Sequence, residues 1–138
     1  MLVMLLSAKS TYSIRVISDM AENCDMDEYV SISTLSNRLE ISKKYLESIM
    51  TLLSKNGIID VCRGKNGGYK LNKKPEEYKL IDILKVTEDS LAPVACLKDP
   101  NKECSNCDIC PGYKTWLELN QLINDYFGNK TIKDLMCK

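Results

Sequence analysis

Hydrophobic positions recur at helical spacing through residues 1–90, where polar and turn-forming stretches separate one periodic segment from the next. The pattern predicts helices over about residues 9–22, around Leu35, over the stretch that follows Ser42 and over residues 80–87. Ser31 or Ser33 can cap the second helix, and Ser42 is the expected N-cap of the third. Gly57 is the expected stop of the third helix, because glycine adopts positive φ at little cost.

A different pattern follows the third helix. The stretch "IIDVC" is short and β-branched, "RGKNGG" is rich in turn residues, and "YKLN" is extended again. These segments predict a β-hairpin with a basic, glycine-rich loop. Two helices joined by a short turn and followed at once by such a hairpin describe a winged helix-turn-helix. The expected fold class is therefore mainly α with a small β-hairpin.

The rest of the chain divides into two parts. Residues 91–111 show no periodicity and are expected to form a cysteine-rich loop after the winged domain of residues 1–90. In residues 112–138, apolar side chains step by three, four and three positions along one helical seam, formed by Trp116, Leu119, Ile123 and Tyr126. A long C-terminal dimerisation helix with a short tail is the expectation, and a helix folded back on its own domain is the alternative.

The composition indicates a globular chain outside the membrane. With 138 residues, 44% of them hydrophobic and 28% charged, we expect one compact unit. The longest apolar run, "MLVMLL", is too short to span a bilayer and lacks the flanks of a signal peptide. We therefore expect a cytoplasmic protein with no membrane partner.

The net charge is zero, but the charges are segregated. Residues 41–74 carry eight lysines and arginines against Glu47 and Asp60, an excess of six positive charges. A basic helix followed by a basic hairpin is typical of double-stranded DNA binding, with the helix in the major groove and the wing against phosphates. The candidate contacts are Ser42, Lys43, Lys44 and Tyr45 on the helix, and Arg63, Gly64, Lys65 and Asn66 in the wing. Taken alone, the two helix lysines fit an ordinary solvated face, and "NGG" fits a simple hairpin closure.

Four of the seven cysteines fall in residues 96–110, and the chain has no histidine. Cys104, Cys107 and Cys110 form CxxCxxC, and Cys96 stands upstream with seven residues in between. This spacing fits an iron-sulfur cluster, and four cysteines fit a zinc site nearly as well. Three scattered cysteines are expected to be structural or incidental: Cys24, Cys62 and Cys137. The missing histidines remove Ser-His and Cys-His chemistry, so we do not expect an enzyme.

The segments "LSAKSTYSIR", "ISKKYLESIMTLLSKNGII" and "RGKNGGYKL", followed by a cysteine loop, resemble the IscR-like Rrf family of bacterial winged-helix transcription regulators. The resemblance covers nearly the whole chain, and the wing is its most specific part. It implies a homodimer that binds a palindromic operator, with the last helices crossing between subunits. It also implies that Tyr45 and its neighbours lie on the recognition helix, with Arg63 and Gly64 at the wing tip.

The resemblance extends to the cysteines of the iron-sulfur branch. Cys96, Cys104 and Cys110 match the family's three loop cysteines, whereas Tyr113 stands where one branch has a histidine ligand. Cys107 can replace that ligand, which favours a 4Fe-4S cluster and leaves 2Fe-2S possible. The expected function is a repressor controlled by cluster status, oxidant or nitric oxide. The alternatives are a zinc- or thiol-based regulator and a small iron-sulfur electron or cluster carrier.

Overall fold

The structure of the protein is a computed structural model that describes residues 6–99, 101–102 and 105–136. Two of the cysteines discussed above, Cys104 and Cys137, lie outside the described residues, as does most of the "MLVMLL" run. The helices and strands follow in the order α1 Ala8–Asn23, α2 Ile32–Leu39, α3 Lys43–Lys55, β1 Ile59–Cys62, β2 Gly68–Leu71, α4 Leu80–Thr87, α5 Tyr113–Gly128 and α6 Ile132–Leu135. Short 3-10 helices occupy Pro75–Glu77 and Ala95–Leu97.

The first three helices begin at serine N-caps whose hydroxyls satisfy a free amide of the first turn. Ser31 Oγ accepts from Thr34 N at 3.1 Å, so Ser31 rather than Ser33 caps α2. Ser42 Oγ accepts from Tyr45 N at 3.3 Å, which confirms the predicted start of α3. The predicted mainly helical fold with one hairpin is also confirmed.

Gly57 ends α3 with a φ of 72°. Ile58 N donates to Leu53 O at 2.9 Å, and Gly57 N donates to Ser54 O at 3.1 Å. This pair of bonds is the Schellman arrangement, which requires a residue that tolerates the left-handed conformation. Only the three residues 56–58 therefore separate α3 from β1, and the hairpin is held close to the helix.

The hairpin pairs antiparallel from Ile59 opposite Leu71 to Cys62 opposite Gly68. Val30, in the loop before α2, pairs with Tyr69 through two backbone bonds of 2.8 Å, which adds a third partner to the sheet. A Cβ at Gly68 would collide with the Val30 carbonyl. The absence of a side chain at Gly68 therefore permits the contact between the loop and the wing.

The core lies among α1, α2, α3, α4 and the base of the hairpin. Its fully buried members include Ile17, Leu46, Ile49 and Ile83. Ile132 of α6 is also fully buried in this cluster, although it comes from the far end of the chain. The last described segment therefore returns to complete the core of the first.

Two backbone bonds fasten that returning segment. Leu80 N donates to Lys130 O, and Ile132 N donates to Tyr78 O, both at 2.9 Å. We call residues 129–132 the return strap. It connects the end of α5 to the turn that precedes α4.

Helix α5 lies where the predicted C-terminal helix was expected, but none of its residues, all of which the structure describes, is buried. Its apolar side chains include Leu122, which is 65% exposed, and Tyr126, which is 60% exposed. It packs against α4 and against the 3-10 helix Ala95–Leu97. Among the described residues, no helix is long and apolar enough to cross a membrane.

Candidate nucleic-acid interface and cysteine loop

The turn between α2 and α3 is fixed by side chains of both α1 and α2. Glu40 ends α2 with a φ of 56°, and Ser36 Oγ donates to Ile41 O at 2.6 Å. Arg15 of α1 donates to Leu39 O at 3.0 Å. These bonds set the angle between the two helices and leave the start of α3 at the surface.

The predicted helix contacts lie together in that exposed first turn. Ser42, Lys43 and Lys44 are exposed. Tyr45 is half-buried, and its ring meets Tyr12 edge to face with centroids 5.6 Å apart. The two lysines are therefore free to approach a phosphate or a base edge, while the ring of Tyr45 is partly committed to packing.

The predicted wing contacts also lie together at the surface. Arg63, Gly64, Lys65 and Asn66 are all exposed in the loop between β1 and β2. A Cβ at Gly67 would collide with the Cys62 carbonyl, so the loop turns back more tightly than a side chain would allow. The wing presents two cations and an amide at its tip.

An open groove of about 520 Å³ separates α3 from the wing. From α3 it is lined by Glu47, Thr51, Ser54 and Lys55. These residues lie outside the predicted set, although their spacing of three to four places them on one helical face beside Lys44. This helical spacing could have identified the four residues from the sequence, but only together with the knowledge that the wing lies against that face of α3.

Charges on both walls of the groove act on the hydroxyl of Tyr69. Burial raises the pKa of the Tyr69 hydroxyl, the Glu47 carboxylate raises it further, and Arg63 opposes the rise. The hydroxyl therefore stays neutral and lies in the field of both an acid on α3 and a cation on the wing. The groove is thus not uniformly basic, since Glu47 places one negative charge on its helix side.

A second set of polar contacts braces α1 and α2 behind the wing. Arg38 donates to both carboxylate oxygens of Asp19, with the shortest contact at 2.6 Å, and to Cys24 Sγ at 3.2 Å. The hydrogen bond to Asp19 is the main cause that raises the pKa of Arg38. Cys24 is half-buried beside this pair, whereas Cys62 is exposed at the end of β1.

The cysteine loop leaves the winged domain at Glu88, the C-cap of α4. Glu88 Oε1 accepts from Ser7 N at 2.5 Å and from Ser10 Oγ at 2.6 Å. Burial alone would raise the pKa of Glu88, but the hydrogen bonds from Ser10 and Ser7 outweigh it and lower the pKa. The start of the loop is therefore fastened to the start of α1.

The described loop cysteines occupy two places. Cys96 is half-buried in the 3-10 helix that packs against α5. Cys107 and Cys110 are half-buried in a helix-like turn, where Cys110 N donates to Asn106 O at 2.9 Å. Residues three apart on such a turn share a face, so Cys107 and Cys110 can present thiols to the same side. Cys107 Sγ lies 3.8 Å from Asp108 Oδ1.

No three cysteine, aspartate or glutamate side chains lie close enough to hold a metal ion within the described residues, which exclude Cys104. The set of donors is nevertheless suited to iron or zinc, because it consists of thiols and the chain has no histidine. Tyr113 follows as the first residue of α5, and its amide donates to Cys110 O at 3.3 Å. The cysteine turn therefore leads directly into α5.

Comparison with known proteins assigns the family. The Rrf2 family model, described as an iron-dependent transcriptional regulator, matches residues 6–138. The chain belongs to the Rrf2 family. Protein rrf2 of Nitratidesulfovibrio vulgaris is 32% identical over 133 residues, which cover 96% of this chain and 87% of that protein.

Solved Rrf2-type structures have the same fold. IscR of T. potens is 25% identical with a TM-score of 0.71, over 94% of this chain and 84% of that one. CymR, the global cysteine regulator of B. subtilis, is 24% identical with a TM-score of 0.74, over 98% and 96% of the two chains. The resemblance to IscR-like regulators and the winged-helix fold are therefore confirmed. The protein is a transcriptional regulator of DNA-binding type and not an enzyme.

Proposed function

We propose that this Rrf2 regulator binds a palindromic operator as a homodimer, and that an iron-sulfur cluster in the cysteine loop controls its affinity for DNA. The observation that carries the proposal is the position of the loop: it runs from α4 of the winged domain to α5. Any change in the loop therefore acts between the part that reads DNA and the helix expected to pair with a second subunit. A regulator that binds chromosomal DNA is expected in the cytoplasm.

For DNA, the proposal puts the first turn of α3 in the major groove and the wing against the backbone. Lys43 and Lys44 are exposed at the helix start, and Arg63 and Lys65 are exposed at the wing. Phosphate contacts from the wing fix orientation, and contacts from α3 to base edges give sequence preference. Ser42, Tyr45, Gly64 and Asn66 complete the proposed contact surface.

For the cluster, the proposed ligands are Cys96, Cys104, Cys107 and Cys110. Family resemblance supports Cys96, Cys104 and Cys110 as ligands. The turn that Cys107 shares with Cys110 supports Cys107 as the further ligand. When bound, a thiolate-ligated iron-sulfur cluster supplies a centre that reacts with oxidants and nitric oxide. The chain's own residues hold the loop at both ends, through Glu88 at its start and through the Cys110–Tyr113 bond at its end.

For the dimer, the proposed interface is the exposed apolar face of α5. Trp116, Leu119, Leu122 and Tyr126 are all exposed there. A long helix with such a face is commonly covered by a partner. Because the loop leads directly into α5, ordering of the loop would change the spacing of two paired winged domains. A coupling of about 1–3 kcal/mol would change operator affinity roughly 5- to 150-fold, and we expect the bound regulator to act as a repressor.

Anaerobic purification tests the cluster. We expect a coloured protein with iron and sulfide, and absorption and Mössbauer spectra that distinguish 4Fe-4S from 2Fe-2S. Serine variants of Cys96, Cys104 and Cys110 should lose the colour, and Cys107→Ser decides whether Cys107 is the fourth ligand. Cys24→Ser, outside the loop, is the matched control and should keep it.

Other outcomes point to the alternatives. A colourless protein with one zinc per chain would replace the iron-sulfur cluster with zinc. A protein without metal, whose DNA affinity changes on thiol oxidation, would indicate a thiol-based regulator. Failure to bind any fragment of its own promoter would favour an electron or cluster carrier.

Arg63→Ala tests the wing separately. We expect weaker DNA binding and a salt dependence that is shallower by roughly one phosphate contact. Unchanged affinity over a salt series would remove the wing from the proposed interface and leave the cluster proposal untouched.

A further inference from the structure

Tyr78 is a buried tyrosine between the hairpin and α4 that bonds to three separate segments of the chain. It is only 3% exposed and belongs to the core cluster. Its ring lies beneath the Lys73 ammonium, 5.9 Å from the nitrogen. None of the DNA contacts proposed above uses it.

The Tyr78 hydroxyl joins the two ends of the hairpin. It accepts from Asn72 N at 3.0 Å, just after β2, and donates to Ile58 O at 2.8 Å, just before β1. Burial raises the pKa of this hydroxyl, so it keeps the proton that it donates.

Asn72 extends the same network to the end of α3. Its side-chain amide donates to Gly57 O at 3.0 Å and to Asp60 Oδ1 at 3.1 Å. Gly57 directly follows Asn56, the C-cap of α3. Tyr78 and Asn72 therefore connect the base of the wing to the end of the helix expected to read DNA.

The backbone of Tyr78 is fixed from the opposite side. Its carbonyl accepts from Ile132 N at 2.9 Å, and the adjacent Leu80 N donates to Lys130 O at 2.9 Å. The return strap thus anchors Tyr78 independently of its hydroxyl, and removal of the hydroxyl should leave the residue in place.

We propose that Tyr78 is a positioning residue for DNA binding, whose hydroxyl sets the angle between the wing and α3. This inference rests on the proposed function, because it requires the wing to contact DNA. The strands of the hairpin have four residues each, and a two-stranded ribbon of that size is marginal by itself. Its direction is therefore determined at its base.

The hairpin is long enough for a small rotation at its base to move its tip appreciably. A four-residue strand spans about 13 Å, so a rotation of about 10° at the base moves the tip by about 2 Å. A displacement of that size is enough to break a hydrogen bond between Arg63 and a phosphate.

The test is Tyr78→Phe in the full-length protein, purified with whatever metal it binds and titrated with its operator over a salt series. The ring, its packing and the strap bonds remain, and only the hydroxyl is lost. We expect affinity to fall about 3- to 10-fold, the size of one neutral hydrogen bond, with a shallower salt dependence. Tyr29→Phe is the matched control, because Tyr29 is an exposed tyrosine whose ring also lies beneath a lysine ammonium, that of Lys70, at 4.9 Å.

A double-mutant cycle with Arg63→Ala separates positioning from general stability. If Tyr78 acts through the wing, Tyr78→Phe should have little further effect on DNA affinity once Arg63 is alanine. Additive losses of DNA affinity in the double variant would overturn this inference and leave the proposed wing contact standing. The same holds if Tyr78→Phe keeps its affinity while Arg63→Ala weakens binding. Unchanged affinity of Arg63→Ala would instead overturn the proposed wing contact.

Asn72→Ala gives a second approach to the same network. It removes the bonds to Gly57 and Asp60 and should reproduce the loss of affinity and of salt dependence. A variant that binds DNA like the parent protein would contradict the inference.

Discussion

The winged domain and α5 are built in different ways. In the winged domain, α3 buries four of its thirteen residues, and side chains such as Ile49 are fully enclosed. In α5, sixteen residues form a helix without one buried member. The comparison teaches that the winged domain encloses its apolar side chains in a core, which Ile132 of α6 completes, whereas the rest of the described chain buries no residue of α5.

Truncation of one aliphatic side chain in each region is the most direct test of this difference in burial. Ile49→Ala should lower the free energy of unfolding by about 2–5 kcal/mol, because it leaves a cavity in the core. Leu122→Ala on α5 should change it by no more than about 0.5 kcal/mol under conditions where the protein is monomeric. Urea unfolding measures both, and equal losses would show that the two regions do not differ.

A glycine in each region sharpens the same contrast. Gly68→Ala should cost about 1–3 kcal/mol, because the new Cβ collides with the Val30 carbonyl and the wing must shift. Gly128→Ala at the end of α5 is the control, since a Cβ there meets nothing within 4 Å. Gly68→Ala should lower both the thermal unfolding midpoint and the affinity for the operator. If neither quantity changes, the Val30–Tyr69 pairing is dispensable.

The exposed face of α5 can be tested by charge. Leu122→Glu should raise the dissociation constant of the proposed dimer at least about 10-fold, because a carboxylate would be buried at the interface. Sedimentation measures the effect. Met26→Glu introduces the same charge at an exposed apolar position of the winged domain and should leave assembly unchanged. If both variants remain fully dimeric, α5 is not the interface.

The smallest expected effect concerns Glu88, the C-cap of α4, at which the chain leaves the winged domain. Its pKa is lowered in the folded protein, so its stabilising effect is present above the ordinary carboxylate pKa and is lost as pH falls through the folded value. Glu88→Gln should therefore lower the urea midpoint at pH 7, and the difference should shrink below about pH 4. Glu118→Gln, at an exposed position of α5, is the control. A difference that persisted unchanged at low pH would exclude the charge as the cause.

Local features of the sequence predicted much of the fold. Ser42 and Gly57 mark the ends of α3 because capping depends on a few adjacent residues. The Val30–Tyr69 pairing and the burial of Ile132 were not predicted, since each joins segments far apart in the chain. Periodicity reports which face of an element is apolar, but it does not report which distant segment covers that face.

The same distinction applies to the candidate site. The exposed first turn of α3 and the exposed wing loop could be located from the sequence because each is a run of adjacent residues, and their contacts with DNA stay a prediction. The α3 wall of the groove, including Glu47 and Thr51, became visible only when the wing was seen beside it. The metal ligands remain a prediction from spacing and resemblance, since Cys104 lies outside the described residues.

The return of Ile132 to the core has a consequence for biosynthesis. A ribosome makes α1–α4 first, but their core stays incomplete until the segment that carries Ile132 has emerged. By then the whole cysteine loop has been translated. A newly made chain therefore cannot complete its winged domain before its candidate metal ligands exist, and a chain terminated before Ile132 would lack part of the winged-domain core.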